Sequence, residues 1–244
     1  MRPLSAHTLL RAWEIGRRQH PIDRALTLLS LTCPEKSAAE LVSLSVGQRD
    51  AQLLTLRELT FGSVLNGMAD CPHCREQLEF SLSVSDICFG VPEPLPPQYQ
   101  LETEGLMLQF RLPNSQDLAA IAACPDLEAA NAQLIQRCLL QASSTEGEAI
   151  SYQDLPTPAL AQLTEKMAEC DPQADVFLPL TCVACGHSWQ GIFDIVTFFW
   201  TELNAQAHRL LQEVHLLARF YGWREADILS MSAARRQLYL DMVI

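Results

Sequence analysis

Four of the nine cysteines fall into two C-x-x-C pairs, Cys71-Pro72-His73-Cys74 and Cys182-Val183-Ala184-Cys185. A C-x-x-C turn presents two thiolates on one side of the chain, and two such turns supply the four soft donors of a tetrahedral zinc ion. Cys74 and Cys182 are 108 positions apart, wider than in a compact ribbon, so the flanking residues must add weight. Cys74 leads into Leu78, Phe80, Leu82 and Val84, which alternate with polar residues and end at Asp86-Ile87; Cys185 leads into Trp189, Gly191, Phe193 and Ile195, through Asp194-Ile195. A thioredoxin-like dithiol opens a helix, whereas both of these pairs precede strands, which favours zinc over a redox dithiol or an iron–sulfur cluster. The expectation is one structural Zn2+ held by Cys71, Cys74, Cys182 and Cys185. His73 and His187 stand beside the pairs, but four thiolates close the shell and leave neither a position. A closed shell has no site for an activated water, so the expected metal is a staple and the expected protein is not an enzyme.

Chemistry elsewhere is sparse. No phosphate-loop, dinucleotide, HExxH or nucleophile-elbow signature occurs. Arg49, Asp50, Arg57 and Glu58 read as surface charge pairs on a helix, and His208 and His215 as a solvated helix face. Cys33, Cys88, Cys124, Cys138 and Cys170 stand alone, several in apolar periodic contexts where cysteine packs as a small hydrophobe. Seventeen Lys and Arg against 29 Asp and Glu give a net charge of −12, which repels phosphate backbones and anionic lipids. No apolar run reaches the roughly 18 to 20 residues of a membrane span, and Met1-Arg2-Pro3-Leu4 lacks the apolar stretch of a signal peptide. The expectation is therefore no nucleic acid, no membrane, no small-molecule substrate and a cytoplasmic location.

These residues need positioning elements. Three- and four-residue apolar spacing predicts three or four short helices from His7 to about Leu65, punctuated by Pro21, Pro34 and Gly47. Beyond the first cysteine pair and its strand, Pro92 to Pro97 form a break, and Leu106, Leu108, Phe110 and Leu112 alternate as a second strand or hairpin. Ser115 is placed to cap a helical stretch from Gln116 to about Ala142, broken at Pro125, and Thr157-Pro158 opens another helix through Met167. After the second pair, a long amphipathic helix runs from Trp200 to Tyr221 and stops at Gly222, with two short helices beyond it. The predicted fold class is α+β, mainly helical: a split zinc ribbon with an inserted α/β unit and a helical C-terminal tail. Its parts are a helical N-terminal unit over 1–66, ribbon arms at 67–90 and 178–196, the inserted strand–helix unit at 91–177, and the long helix with a small docking tail at 197–244. Tyr221, Trp223, Ile228, Leu229 and Tyr239 supply more apolar surface than so short a tail buries alone, so they are the expected partner-docking residues, on a segment that adds little to the fold of the rest.

An ordered set of short stretches carries a resemblance. It comprises Val46-Gly47-Gln48-Arg49-Asp50 with Leu53-Leu54, Arg57 to Phe61-Gly62, the first cysteine pair, and Phe110-Arg111-Leu112-Pro113 leading to Asp117-Leu118. The second pair follows, extended through Gly186-His187-Ser188-Trp189, and then Glu213-Val214-His215, Tyr221-Gly222-Trp223 and Ile228-Leu229. Over most of its length the chain resembles the baseplate hub assembly chaperone family of T-even-like phages, whose relatives occur in gene clusters of contractile injection systems. The resemblance implies a non-catalytic assembly chaperone or structural component of a contractile tail, with other baseplate or hub proteins as partners. It also implies a place in the cytoplasm during assembly or in the finished tail particle. A zinc-ribbon nucleic-acid-binding or regulatory protein is the alternative, and the basic stripe it needs is absent from the sequence.

Overall fold

The structure, a computed structural model, describes residues 1–89 and 96–243. The predicted proline-rich break from Pro92 to Pro97 lies mostly outside the described residues. The chain is mixed, with helices in the majority and small antiparallel sheets, and it divides into two compact units.

The first unit comprises 1–37, 53–63 and 194–244. It contains α1 (Ala6–Gly16), α2 (Pro21–Thr32), the last turns of α4 (Val46–Phe61), α9 (Ile195–Tyr221), α10 (Glu225–Ser230) and α11 (Ala233–Leu240). Helix α9 starts at the Asp194 cap, whose side chain accepts the Val196 N–H, and ends at Gly222 in the left-handed conformation that glycine adopts without strain. Ile195, Phe199, Leu203, Ala207, Leu210 and Leu217 recur every three to seven residues along its buried face. Helix α1 packs closely against it, because a Cβ at Gly16 would lie 2.4 Å from the Trp200 ring.

The second unit comprises 38–52 and 64–193. Its sheets are a hairpin of β1 (Val64–Asp70) and β2 (Gln77–Ser83), a three-stranded sheet in the order β3 (Tyr99–Thr103), β4 (Leu106–Phe110), β5 (Leu139–Ser144), and a hairpin of β6 (Val176–Thr181) and β7 (Ser188–Phe193). Its helices are α3 (Ala38–Ser43), the start of α4, α5 (Val84–Ile87), α6 (Ser115–Ile121), α7 (Leu127–Cys138) and α8 (Thr157–Cys170). Leu106, Leu108 and Phe110 point from the central strand into a core completed by Leu112, Cys138, Ala142, Leu155, Ala159, Leu163 and Met167. Beside this core, Asp117 is fully buried and accepts from both Arg111 and Arg137, which offsets the cost of burying its charge.

Several local expectations need correction. The helical stretch expected to reach Ala142 ends at Cys138, and Leu139–Ser144 instead pairs with β4, where Ala142 stands opposite Leu108 in the core. The cap of α6 is Asn114, which accepts from the Gln116 and Asp117 N–H groups, while Ser115 is already inside the helix. Strands β1 and β6, each preceding a cysteine pair, were not anticipated. Arg49, Asp50 and Arg57 are buried at 4%, 8% and 2% exposure and are not surface charges. Arg57 grips Glu202 with Nε and Nη2 at 2.8 and 2.6 Å and donates to the Gly62 carbonyl, and Arg49 Nε donates to Asp50 at 2.7 Å.

Candidate metal centre

Each cysteine pair forms the turn of an antiparallel hairpin. In β1–β2 the register runs from Val64 opposite Ser83 to Asp70 opposite Gln77; in β6–β7 it runs from Val176 opposite Phe193 to Thr181 opposite Ser188. The turns close alike. The Cys71 N–H donates to the Glu76 carbonyl and the Arg75 N–H to Cys71, just as the Cys182 N–H donates to His187 and the Gly186 N–H to Cys182. Both turns need a left-handed residue directly after the second cysteine, supplied by Arg75 (φ 65°) in one and Gly186 (φ 72°) in the other.

These turns bring the four expected ligand atoms together. All four Sγ atoms lie within 4.8 Å of one another, with Cys71 3.7 Å from Cys185 and Cys74 3.6 Å from Cys182. A tetrahedral thiolate-bound ion with metal–sulfur bonds of about 2.3 Å separates its sulfurs by about 3.8 Å, whereas a disulfide needs about 2.05 Å. The donor set therefore fits a single ion. In each turn the first cysteine is buried and the second exposed, so the cluster has a covered side and an open rim.

The electrostatics of the thiols also fit a cation. Burial raises the Cys71 thiol, but hydrogen bonds from the Cys74 and His73 N–H groups together with those to the Cys74 and Cys185 thiols bring the pKa down to about 7. Cys74 is stabilised as thiolate by the Glu76 N–H, yet desolvation and the neighbouring Cys185, Cys182 and Cys71 sulfurs push it up to about 12. Four thiolates this close need a positive charge among them to lose all their protons together.

The hairpins are also tied at their bases. Gln173, at 1% exposure just before β6, donates from Nε2 to the Ile87 carbonyl and accepts the Phe89 N–H, both just after β2. Nothing in the sequence singled out this residue, because a lone Gln in a loop carries no spacing signal. Asp171 nearby accepts the Gly47 N–H at 2.9 Å, and a Cβ at Gly47 would lie 2.0 Å from its other oxygen. His73 and His187 stack on each other with ring centroids 5.6 Å apart, and both are exposed.

The remaining candidates are dispersed. His208 and His215 are exposed on α9, His208 against the Trp13 ring. Among the expected docking residues, Ile228 (0% exposed) and Leu229 (8%) are interior, and Ile228 forms a core with Leu217 and Leu240. Both are thus buried within their own unit, Ile228 against Leu217 of α9. The buried Arg236–Glu213 pair at 2.8 Å fixes the same contact. Tyr221, Trp223 and Tyr239 are half-buried and pack on one another, with Tyr221 and Trp223 stacked 4.4 Å apart. The exposed apolar residues there are Phe220, Leu238 and Met242. Of the five single cysteines, Cys33 and Cys138 are buried, and burial first, then Asp117, pushes the Cys138 thiol up to about 11.

Among the described residues no helix is long and apolar enough to cross a membrane. No curated protein and no solved structure matches the chain. A family model described as T4 bacteriophage base plate protein matches residues 7–200, a span that runs from α1 through both cysteine turns into α9. The chain therefore belongs to the T4 bacteriophage base plate protein family, and its role is a baseplate-related structural or assembly one.

Proposed function

We propose that the protein is a non-catalytic hub assembly protein of a contractile phage tail or a phage-like injection system, built around one structural zinc ion. The observation that carries the reading is the closed four-sulfur cluster lying inside the stretch matched to the baseplate family. Zinc suits four thiolates at tetrahedral spacing. An iron–sulfur cluster distributes its thiolates over several irons and needs them further apart, and a dithiol pair needs only two. With four thiolates on the ion no position is left for a reacting water, so the site would hold two hairpins together and perform no chemistry. Cys71, Cys74, Cys182 and Cys185 then join two arms, 67–90 and 178–196, into a split ribbon around the insert at 91–177.

Its partners would be other baseplate or hub proteins, met in the cytoplasm during assembly, and the tail from Tyr221 onward would offer Leu238, Met242 and the edges of Tyr221, Trp223 and Tyr239, with Phe220 at the end of α9, as one docking surface. The nucleic-acid alternative loses support from charge. The unit that holds the cysteines carries five Lys and Arg against nineteen Asp and Glu, a net of −14, which opposes a phosphate backbone. Deleting the gene and purifying tail particles tests the reading. Loss of intact baseplates is expected, with the protein absent from wild-type particles if it is a chaperone and present at fixed stoichiometry if it is a component. Normal particles without the gene would contradict both.

A further inference from the structure

The two hairpins differ on their outward faces. On β6–β7 the outward residues Phe177, Pro179, Thr181, Ser188, Gln190 and Ile192 are all exposed, and none is ionisable. Phe177 and Ile192 stand directly opposite each other in the register, at 52% and 76% exposure. An adjacent aromatic and aliphatic pair left in water on a sheet face is a candidate centre for an interface.

The charge of the whole unit selects the occupant. The net charge of the unit is −14, whereas the other unit, with twelve Lys and Arg against ten Asp and Glu, is at +2, and the two sum to the −12 of the chain. A second copy meeting this face across a two-fold axis would bring −14 against −14, and a nucleic acid would be repelled more strongly. A partner with an apolar centre and a basic rim is attracted by the same field and speeded in its approach.

We propose that the outward face of β6–β7, centred on Phe177 and Ile192, is a docking surface for a protein that presents an apolar patch rimmed by Lys and Arg. The proposal rests on the baseplate reading, which supplies the candidates: the other proteins of the chain's own tail gene cluster.

The test co-expresses the tagged full chain with that cluster and identifies captured cluster proteins by mass spectrometry at 50 and 500 mM NaCl. Three forms are compared: wild type, Phe177→Ser with Ile192→Ser, and Met68→Ser, which removes an exposed apolar residue from the outward face of β1–β2. Metal content and melting curve confirm that each form is folded. The expectation is capture of a cluster protein by wild type and Met68→Ser, with about tenfold less at high salt and about tenfold less by the double variant. Equal capture by the double variant, equal loss in Met68→Ser, or capture unaffected by salt would each overturn the docking face and leave the baseplate reading standing. A wild-type dimer that the double variant dissolves would replace the basic partner with a second copy. No cluster protein captured by wild type would remove the baseplate reading, and the docking face with it.

Discussion

Two regions of the cysteine-bearing unit hold themselves together by different means. The three-stranded sheet β3–β4–β5 closes on a ten-residue core in which Leu108, Phe110, Cys138, Ala159 and Leu163 are fully buried. The two cysteine hairpins have nothing comparable, since Leu65 and Val176 are the only strand residues of theirs that are buried. A two-stranded hairpin is marginal in water by itself. The hairpins therefore need cross-links: Gln173 supplies one at their bases, and a metal ion on the thiol cluster would supply another at their tips. A metal ion on the four thiols would stand in for the hydrophobic core that the hairpins lack.

The largest expected effect separates the two regions outright. Removing metal with a chelator should abolish amide protection in 64–83 and 176–193, because a structural zinc site contributes on the order of 10 kcal/mol. Protection in 99–110 and 157–170 should persist. Hydrogen exchange read by mass spectrometry checks this, and uniform loss across both regions would erase the distinction. The reverse perturbation is Leu108→Ala, which should cost about 3 kcal/mol in denaturant unfolding while leaving the metal content unchanged.

Asp117 sharpens the account of the sheet region. Burial alone would raise its pKa, but Arg111, the Asn114 N–H and Arg137 hold it below the usual carboxylate range. Its contribution to stability is thus complete above the unfolded value of about 4 and is lost as the pH falls through the lower native value. Asp117→Asn should cost about 2 kcal/mol at pH 7 and progressively less in acid, as measured by urea unfolding across pH. Gln173→Ala should act on the hairpins instead, costing about 1–2 kcal/mol by leaving the Phe89 N–H and the Ile87 carbonyl unpaired. The smallest change expected is at the turns. Arg75→Gly should stabilise the metal-loaded protein by about 0.5–1 kcal/mol, since Arg75 holds the left-handed position that Gly186 fills in the second turn. A thermal melt that does not move would show that the turn tolerates Arg75 without strain.

Much of this is legible in the sequence. The two C-x-x-C pairs and the alternation of Leu78, Phe80 and Leu82 and of Leu106, Leu108 and Phe110 point directly to the cluster and to β2 and β4, because a period of two has no helical reading. The strands before the turns were hidden for local reasons. Strand β1 carries Gly67, which accepts the Phe80 ring from across the hairpin, and β6 carries Pro179, tolerated because the hairpin has only edge strands. Strand β5 lies in the Leu- and Ala-rich continuation of a helix and becomes a strand through pairing with β4, a contact no local pattern encodes. The burial of Ile228 is hidden from the tail's own sequence, because the surface that covers it includes Leu217 on α9.

The zinc site is tested by the metal content of the protein purified without chelator, measured by inductively coupled plasma mass spectrometry beside the Cys71→Ser, Cys182→Ser double variant. One zinc per wild-type chain is expected, and none in the variant, which loses one ligand from each turn. Metal-free wild type, a different metal, or zinc retained unchanged by the variant would contradict that expectation.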